Sequence, residues 1–411
     1  DSKEGWADLG AAVFGRVSMA GLFLNFIAIP AMALTQLAGM AVVAVLPMWP
    51  AAAHAIAVVA DTGATMLVRS AGLLQWAPWL SWQTPPVWWL WTTTYYAALV
   101  LLALDAARRW RRALIWMLAG AALIIAAGLA MPVTDTHTLV VTMLDVGQGQ
   151  AILVQFPTGQ TLLLDAGGNA GAFDVGARIV KPALWALGVR RLDWLAITHG
   201  DVDHAGGAAS VLRDFQPREV WEGIPVPRDA RMQALRASAH EGGVVWRRLI
   251  AGHSFEVGSV AVDVLAPPTP DWERRDNRND DSLVLRVRYG DVAWLLTGDI
   301  ERAAERTLAL DRSARLRFMS APHHGSRTSS TPELVRGWLP HAVLVSAGRG
   351  NPFNHPAADV LARYGAAGVD VFRTDMDGAV MMSTDGRSVD LRGVTGRQWH
   401  FTSIDLPGKP Q

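Results

Sequence analysis

Residues 198–207 read THGDVDHAGG and follow directly on an apolar run at 192–197. Four side chains of types that bind metal ions fall within six residues of this stretch: His199, Asp201, Asp203 and His204. A loop that leaves a buried strand can curl such side chains around a divalent cation, and glycines on both sides permit a tight backbone path. A solvated polar loop is the alternative. We expect a metal-binding loop, because histidine and aspartate clustered at a strand end are otherwise hard to explain.

The sequence around this loop, from about residue 136 onward, predicts a layered α/β domain. Helix-like stretches at 300–310 and 357–365 alternate with short β-rich runs bounded by glycine and aspartate. Strands are expected at 139–144, 151–156, 161–164, 192–198, 260–265, 282–289, 292–297, 317–321 and 342–346. The last residues, 396–411, lack periodicity and are expected to form a tail.

Further acid and imidazole side chains stand after three of the later strands: Asp299, His323, His324 and His355. Taken singly, they could be a turn aspartate, a surface histidine pair and a loop histidine. Layered α/β folds hold their sites at one end of successive strands, so together these residues predict one site that includes the loop at 198–207. His240 and His253 do not end a strand near a glycine turn, and we interpret both as structural.

The first third of the chain has the composition of a membrane protein. Of the 74 charged residues only 12 lie in 1–133, and none occurs between Arg16 and Asp61. A bilayer core about 30 Å thick needs about 20 apolar residues as a helix, so one span is expected at about 17–47, interrupted or kinked near Pro30. A cleavable signal peptide does not fit, because the apolar region is too long and recurs.

The next stretch, 51–80, carries His54, Asp61 and Arg69 at spacings of seven and eight, so these side chains would share one helix face. We interpret the stretch as an amphipathic helix that lies at the membrane interface or lines a cavity. A polar-faced helix packed inside a helix bundle is an equal alternative.

A transmembrane hairpin is expected farther along, from uncharged stretches at 87–104 and 113–131. The loop between them, 105–112, contains four arginines, and the positive-inside rule assigns it to the cytoplasm. The chain then leaves the second span on the outer side, so the α/β domain is expected to be extracytoplasmic. The chain begins at Asp1 and runs straight towards a span, as a fragment of a larger membrane protein would.

Composition excludes several classes of site. The chain has no cysteine, which removes disulfide frameworks, thiolate zinc sites and cysteine nucleophiles. Its 37 basic and 37 acidic residues give no polyelectrolyte signature of a nucleic-acid partner. Arginine outnumbers lysine by 34 to 3, and arginine suits phosphate contacts, but we attribute most of this excess to genomic composition bias.

With these motifs the chain resembles the metallo-β-lactamase superfamily, whose loop reads His-x-His-x-Asp-His and is followed by a distant bridging aspartate and a later histidine. Residues 140–392 resemble more narrowly the C-terminal domain of the ComEC-type DNA-internalisation competence family, and residues 25–30 resemble part of its polytopic membrane domain. The motifs that carry the resemblance occur in order: LDVGQG at 144–149, LLDAGG at 163–168, HGDVDH at 199–204, GD at 298–299, HHGS at 323–326 and NHP at 354–356.

The resemblance implies an α-helical transmembrane segment followed by a four-layer αββα sandwich. We expect membrane-spanning helices at 1–133, a hydrolase domain at 134–395 and the tail at 396–411. One departure from the superfamily pattern is that Asp201 stands where the loop has its second histidine. The usual mid-domain histidine ligand also has no counterpart, because prolines occupy 267–268.

For the site, the resemblance implies one or two divalent cations. Mn²⁺ and Zn²⁺ are the first candidates and Mg²⁺ is an alternative; an oxygen-rich set of ligands favours Mn²⁺ or Mg²⁺ more than a histidine-rich set does. Asp299 is the candidate bridge between two ions. The expected ligands are His199, Asp201, Asp203, His204, Asp299, His324 and His355.

The remaining roles follow from metal-assisted phosphodiester hydrolysis. Asp203, His323 and His324 are expected to be catalytic, and either histidine could complete the metal shell or protonate the leaving oxygen. Two residues are expected to bind a phosphate through an amide and a hydroxyl, Gly325 and Ser326. Two aspartates are expected to support the metal loop without binding metal, Asp145 and Asp165.

The ComEC-type resemblance implies a role in natural transformation. The membrane part would form a channel for one DNA strand, and the outward domain would hydrolyse the other. The expected partners are DNA, as arriving duplex and transported single strand, membrane lipid, and other proteins of the competence machinery; the expected location is the inner membrane, with several spans. Three alternatives are open: a hydrolase of another ester or amide, a non-catalytic DNA-binding or gating module, and a soluble enzyme with only an N-terminal anchor.

Overall fold

The computed structural model describes residues 16–76, 81–83, 138–169, 171, 173–269 and 274–403, together with the single residues 111, 115 and 119. The chain divides into two compact units, Asp1–Met131 and Pro132–Gln411. The hairpin expected at 87–131 lies outside the described residues apart from those three positions.

Two long helices dominate the first unit. Helix α1 covers Met19–Val45 and α2 covers Pro50–Trp76, and a short antiparallel pair joins β1 (Arg16–Ser18) to β2 (Ser81–Gln83). The stretches Phe26–Val45 and Pro50–Ser70 are long and apolar enough to cross a membrane, by length and composition. The helix expected at about 17–47 is thus present. It runs through Pro30 without interruption, as apolar helices can when neighbouring groups satisfy the freed carbonyl.

Helices α1 and α2 pack through small residues. Ala31 and Ala53 are buried, and a Cβ atom added to Gly63 would lie 2.5 Å from Oγ1 of Thr35. Such residues let two apolar helices approach closely. The three ionisable residues of α2 are exposed, namely His54, Asp61 and Arg69. Within the described residues, this polar face is therefore not buried against α1.

The second unit contains a nine-stranded mixed sheet in the order β18-β17-β16-β3-β4-β5-β6-β7-β8. Neighbours β5, β6, β7 and β8 run parallel, and the other pairs are antiparallel. The strands are β3 (Leu139–Met143), β4 (Ile152–Gln155), β5 (Thr161–Leu164), β6 (Trp194–Ile197), β7 (Glu219–Glu222), β8 (Val245–Arg248), β16 (Val380–Thr384), β17 (Ser388–Gly393) and β18 (Gln398–Thr402).

A seven-stranded mixed sheet faces it, in the order β15-β14-β13-β12-β11-β10-β9. The strands β12 to β15 run parallel, and β9 to β12 are joined as antiparallel neighbours. The strands are β9 (Ser254–Val257), β10 (Val260–Ala266), β11 (Val284–Tyr289), β12 (Val292–Leu296), β13 (Leu316–Ser320), β14 (Ala342–Val345) and β15 (Asp370–Arg373).

Helices cover the outer faces of both sheets. Against the nine-stranded sheet lie a π-helical turn and four helices: Gly176–Val180, α3 (Lys181–Ala186), α4 (Val202–Ala205), α5 (Ala208–Phe215) and α6 (Ala230–Glu241). Along the seven-stranded sheet are α7 (Arg302–Glu305), α8 (Pro332–Trp338), α9 (Ala358–Ala366) and α10 (Thr374–Asp377). Short 3₁₀ turns occur at Asn279–Asp281 and Pro322–Gly325.

Alternation along the strands produces three apolar layers. In β5, Leu162 and Leu164 belong to the core between the sheets, whereas Leu163 belongs to the layer under the helices. In β12, Trp294 and Leu295 divide in the same way. The arrangement is a four-layer αββα sandwich, which confirms the predicted fold class.

Two local predictions are wrong. The helix expected at 300–310 is only the single turn α7, and the chain beyond it is irregular because Leu308 and Leu310 turn inward to pack on the helix-side core. The tail expected from 396 is a strand over Gln398–Thr402, because its backbone pairs with β17. Its weak periodicity reflects an exposed sheet edge, where one face is not buried.

Candidate metal centre

The carboxyl ends of parallel strands bring the site together. In the nine-stranded sheet, Asp165 follows β5 and His199 follows the neighbouring β6. In the seven-stranded sheet, Asp299 follows β12 and His323 follows the neighbouring β13. Because each pair of strands is parallel and adjacent, these side chains emerge at the same edge of their sheet.

Four side chains converge at this edge: Asp203, His204, Asp299 and His324. One nitrogen or oxygen atom from each lies within 4.8 Å of the others. Nε2 of His204 is 3.0 Å from Oδ1 of Asp299. Nε2 of His324 is 3.5 Å from Oδ2 of Asp203 and 3.7 Å from Oδ2 of Asp299. We call these four residues the metal cluster.

The buried atoms of the cluster have no hydrogen-bond partner outside the site within the described part of the chain. Nε2 of His204, Nε2 of His324 and Oδ1 of Asp299 are all in this state, and so is Nε2 of the neighbouring His199. Unpaired buried polar atoms are costly, yet here they point towards one another. Two imidazole nitrogens and two carboxylates form a donor set that suits a divalent transition metal. The residues present therefore fit a bound ion.

Asp165 contacts His204 on the side of the ring that faces away from the metal cluster. Its Oδ2 lies 2.7 Å from Nδ1 of His204 and also accepts hydrogen bonds from Gln150 Nε2 and Thr198 Oγ1, at 2.9 Å each. A carboxylate only accepts, so Nδ1 of His204 carries the proton and Nε2 faces the cluster. Burial would lower the pKa of His204, but the charges of Asp299 and Asp165 outweigh it and raise that pKa well above the usual value.

Ser346 orients the ring of His324 in the same way. The backbone oxygen of Ser346 accepts from Nδ1 of His324 at 3.0 Å, which leaves Nε2 directed at the cluster. His323, His324 and Gly325 have φ values of 48°, 54° and 78°, in the left-handed region. This conformation is strained for the two histidines and turns their side chains in different directions. The strain is located at the site itself.

The two cluster aspartates are strongly ionised. For Asp203, burial would raise the pKa, but hydrogen bonding and charge from His324 and His204 lower it to about 2. For Asp299, burial would likewise raise the pKa, but the charges of His204 and His324 outweigh it and lower that pKa well below its usual value. Both carboxylates are therefore available as anionic ligands throughout the neutral range.

His199 and Asp201 lie beside the metal cluster. Nδ1 of His199 is 3.0 Å from Oγ1 of Thr198, which already donates to Asp165, so Nδ1 donates and Nε2 is left as the acceptor. Nε2 of His199 is 3.5 Å from Oδ2 of Asp201. The side chain of Asp201 is 46 % exposed, and His199 lowers its pKa. His199 and Asp201 do not belong to the metal cluster.

His323 lies at the edge of the metal cluster, with its side chain 22% exposed. Its Nδ1 is 3.1 Å from Oε1 of Glu301 and 3.3 Å from Nδ2 of Asn279, and its Nε2 is 3.8 Å from Oδ2 of Asp299. Thr328 donates to the same Glu301 oxygen at 2.8 Å. Thus His323 is oriented by polar neighbours at the edge of the cluster.

The other predicted residues lie at the rim. The rings of His355 and His323 are 5.6 Å apart, and burial, with the charges of His323 and His324, lowers the pKa of His355 to about 4. His355 is outside the four-residue cluster. The hydroxyl of Ser326 is 3.0 Å from that of Thr328, and the carbonyl of Gly325 accepts from Ala357.

The two aspartates expected to support the loop differ. Asp165 is fully buried and contacts the metal loop directly, through His204 and Thr198. Asp145 is exposed and accepts a hydrogen bond from the amide of Gly147 at 3.4 Å. Among its contacts within the described part of the chain, none reaches the cluster residues.

Residues 144–349, half of the chain, match the sequence model described as the metallo-beta-lactamase superfamily. The chain belongs to this superfamily. Residues 7–110 match a second model, described as Competence protein. A competence region followed by a metallo-beta-lactamase domain is the arrangement that the ComEC-type resemblance predicted, and it is confirmed.

Two curated proteins illustrate this similarity. ComE operon protein 3 of Bacillus subtilis is 28% identical over 253 residues, which are 58% of this chain and 32% of that protein. Competence protein ComA of Neisseria gonorrhoeae is 33% identical over 243 residues, which are 58% of this chain and 31% of that protein. The chain thus spans about a third of the length of these relatives. Among solved structures, the metallo-beta-lactamase fold protein YhfI from Bacillus subtilis aligns with a TM-score of 0.39 and 10% identity, over 64% of this chain and all of that one.

One position that departs from the superfamily pattern, Asp201, lies next to His199 and outside the metal cluster. The oxygen of the Ser282 side chain also lies near His199, 3.4 Å from its Nδ1. The fold and this cluster indicate divalent-metal binding and a metal-dependent hydrolase.

Several residues of the site were not predicted from the sequence. Thr198 and Gln150 bind Asp165, Ser346 orients His324, and Glu301 with Asn279 orients His323. Gln150 directly follows the motif LDVGQG and Thr198 directly precedes HGDVDH, so their positions next to these motifs could have indicated a role in the site. Ser346 is one residue beyond the end of β14 and Glu301 five residues beyond the end of β12, and neither belongs to a motif.

An open pocket of about 570 Å³ adjoins the loop of this superfamily member. Its walls are formed by the loop at 200–203 and by segments 226–231 and 275–277. Three arginines contribute to it, Arg228, Arg231 and Arg275, alongside four aspartates, Asp201, Asp203, Asp229 and Asp276. Asp229 is already engaged as the N-cap of α6, and Asp203 belongs to the cluster.

Proposed function

We propose that this chain is part of a DNA-uptake protein of natural transformation, whose outward metallo-beta-lactamase domain hydrolyses phosphodiester bonds of the strand that is not transported. One observation carries the enzymatic part of the proposal: Nε2 of His204, Nε2 of His324 and a carboxylate oxygen of Asp299 are buried and face one another beside Asp203, and within the described chain no group outside the cluster satisfies them. A structural core would leave such atoms paired.

The ligands of the ion are proposed to be Asp203, His204, Asp299 and His324. A divalent cation bound there would supply Lewis-acid chemistry, polarising a phosphoryl oxygen and acidifying water. We favour one ion and take Mn²⁺ or Zn²⁺ as the candidates, with Mg²⁺ as an alternative. The second ion would require His199 and Asp201, which is the side where the superfamily pattern is incomplete.

The chain's own residues supply orientation and proton transfer. Asp165 and Ser346 fix which nitrogens of His204 and His324 face the cluster. His323 stands 3.8 Å from Asp299 on the open side, with Nδ1 towards Glu301. Nε2 of His323 is therefore the group that could hold a proton and deliver it to a leaving oxygen.

The pocket beside the loop supports an anionic substrate. Arg228, Arg231 and Arg275 line it, and Nη1 of Arg231 donates to the carbonyl of Gly200 at 2.8 Å. The lining carries three arginines and four aspartates, and a divalent ion bound at the metal cluster would offset the charge of Asp203. Guanidinium groups suit phosphate oxygens, so a nucleic-acid backbone is the substrate class that we propose.

The DNA and membrane parts of the proposal rest on sequence similarity. The competence match at 7–110 and the relatives in Bacillus subtilis and Neisseria gonorrhoeae support a role in competence. The apolar helices and the arginine loop at 105–112 support several membrane spans with the catalytic domain outside. Membrane lipid and other competence proteins are the further partners that we propose.

The decisive experiment measures cleavage of linear DNA by the purified full chain, supplied in turn with Mn²⁺, Zn²⁺ and Mg²⁺. Cleavage is expected with at least one ion, and Asp203→Ala is expected to abolish it. The matched control is Asp145→Ala, an exposed aspartate near the same strand ends, which should retain activity.

Other outcomes would identify the alternatives. Hydrolysis of small esters or amides without DNA cleavage would indicate a hydrolase with another substrate. Salt-sensitive DNA binding that survives Asp203→Ala, with no cleavage at all, would indicate a binding or gating module.

The proposed topology has its own test, because the chain has no natural cysteine. Single cysteines introduced at Ala106, in the arginine loop, and at the exposed Asp390 would be labelled in intact cells with a membrane-impermeant maleimide. Labelling at Asp390→Cys alone is expected. Labelling at Ala106→Cys alone would contradict an outward catalytic domain.

A further inference from the structure

An exposed aromatic ring stands at the rim of the metal centre. The side chain of Phe353 is 61% exposed, and its ring stacks on that of His355, with centroids 5.8 Å apart and an angle of 29° between the planes. Single exposed apolar residues are common on protein surfaces and need no explanation alone. This one is distinguished by its aromatic partner and by its location.

The stack connects to the cluster through two further contacts. The ring of His355 meets that of His323 edge to face, at 5.6 Å and 76°. Nε2 of His323 is in turn 3.8 Å from Oδ2 of Asp299. Phe353 is thus separated from the metal cluster by two imidazole rings, which places it beside the site rather than within it.

The loop that carries Phe353 is fastened on both sides of the ring. Nδ2 of Asn351 donates to the carbonyl oxygens of Gly348 and His355, at 3.0 and 2.6 Å. Oδ1 of Asn351 accepts from the amide of His355 at 3.0 Å. An aromatic ring held in position loses little freedom when a flat ligand stacks on it, so the binding free energy is not spent on ordering the loop.

We propose that Phe353 stacks on the base of the nucleotide next to the phosphodiester held at the metal cluster. This inference rests on the proposed function and specifies its substrate: a strand with an unpaired base at the site, as in single-stranded DNA or a frayed end. Bases within a duplex are covered on both faces by their neighbours and cannot offer one to a side chain. Aromatic stacking is sequence-tolerant, because every base has a π-face, which suits degradation of DNA of any sequence.

The test compares two oligonucleotides with the full chain and the activating ion: an ordinary single strand, and the same strand with abasic sites along its length. The chain is expected to cleave the ordinary strand with a kcat/KM about tenfold higher, in line with the loss caused by removing one stacked base. Phe353→Ala should remove this preference by slowing only cleavage of the ordinary strand. Phe353→Trp should keep it.

Two controls separate stacking from general damage. Trp399→Ala removes another partly exposed aromatic residue, on the edge strand β18, and should leave the preference intact. Binding of a strand containing 2-aminopurine to the chain with Ca²⁺ in place of the activating ion gives a readout without catalysis, because stacking quenches the fluorescence of this base. Quenching should be present in the unaltered chain and absent in Phe353→Ala.

The outcomes distinguish this inference from the proposed function. If the unaltered chain cleaves both strands equally, or if Phe353→Ala keeps the preference and the quenching, the stacking role is wrong while phosphodiester hydrolysis stands. If the unaltered chain cleaves no DNA with any of the ions, the proposed function fails and the stacking role fails with it.

Discussion

Asp165 and His204 form a fully buried pair, in which Nδ1 of the histidine donates to Oδ2 of the aspartate at 2.7 Å. The pair connects the site residues of one sheet to those of the other. Asp165 follows β5 of the nine-stranded sheet, and His204 faces Asp299, which follows β12 of the seven-stranded sheet. Asp165 also accepts from the amide of Thr198 at 2.8 Å, so it fixes both the start of the metal loop and the imidazole at its end. The geometry of the loop therefore depends on a residue that does not itself bind the ion.

This dependence predicts the effect of Asp165→Asn. The amide has one acceptor oxygen in place of two, so the hydrogen bonds to Thr198 and His204 cannot all be kept, and His204 loses the partner that fixes its tautomer. We expect the affinity for Mn²⁺ or Zn²⁺ to fall about 10- to 100-fold, the range usual for such outer partners. Isothermal titration calorimetry measures it. Asp145→Asn is the control, and equal affinities in both variants would contradict the supporting role of Asp165.

A second prediction concerns the number of ions. The described cluster offers one set of four ligands, whereas Asp201 is half-exposed and outside it. We therefore expect a content of about one metal ion per chain, lost in Asp203→Asn and unchanged in Asp201→Asn. Elemental analysis of the purified proteins checks this. Two ions per chain, with one lost in Asp201→Asn, would show that Asp201 is a ligand after all.

Much of the fold could be predicted from the sequence, because several of its strands are buried on both faces. Continuous apolar runs such as 161–164 and 292–297 gave strand positions close to those observed. Strands with an exposed face, such as β8 and β18, lack such runs and were missed. Hydrophobic patterns in a sequence reflect burial, so strands at the sheet edges are the hardest to predict from it.

The site was predicted in its residue types but not in its geometry. The sequence grouped His199 with His204 and His323 with His324, whereas in the structure only His204 and His324 belong to the metal cluster and the other two histidines lie beside it. His324 turns inward and His323 outward because of two successive left-handed residues. Likewise Asp145 and Asp165 both follow strands, but only Asp165 is buried. Backbone strain and depth of burial arise from packing, which no short motif encodes.

The pH dependence of metal binding follows from the histidine pKa values. The pKa values of His204 and His324 are raised, chiefly because nearby carboxylates outweigh the effect of burial. In the metal-free chain the raised pKa values favour the doubly protonated form of both rings, and binding of an ion through Nε2 requires that the Nε2 proton leave. We expect metal affinity to rise with pH and protons to be released when the ion binds. Calorimetry in buffers of different ionisation enthalpy counts them, and an absence of proton release would contradict the raised values.

The same shifts set the stability of the metal-free chain. A histidine whose pKa is raised on folding contributes stability that is fully present below about pH 6.5 and is lost as pH rises through the folded value. Asp203, whose pKa is about 2, acts in the opposite direction, and its contribution is lost as pH falls below about 4 towards 2. The melting temperature of the chelator-treated chain should therefore fall on the alkaline side, and excess metal ion should reverse that fall.

The last prediction concerns the close approach of two backbones beneath the metal loop. Gly168 has a φ of 158°, and a Cβ atom added to it would lie 1.9 Å from the carbonyl oxygen of Val202 and 2.8 Å from Cα of Gly206. Because both neighbours are backbone atoms of the loop, neither can rotate away, and Gly168→Ala must displace the segment that carries Asp203. We expect a loss of stability on the order of 3 kcal/mol together with loss of metal binding. Thermal unfolding and metal titration measure both.

Gly252→Ala is the matched control for this change. Gly252 also has a positive φ, 95°, but a Cβ atom there would meet nothing within 4 Å. Its substitution should cost only the backbone strain of about 1 kcal/mol and leave metal affinity unchanged. If the two variants lost equal stability and both kept the ion, the contact between Gly168 and Val202 would not be what holds the loop in place.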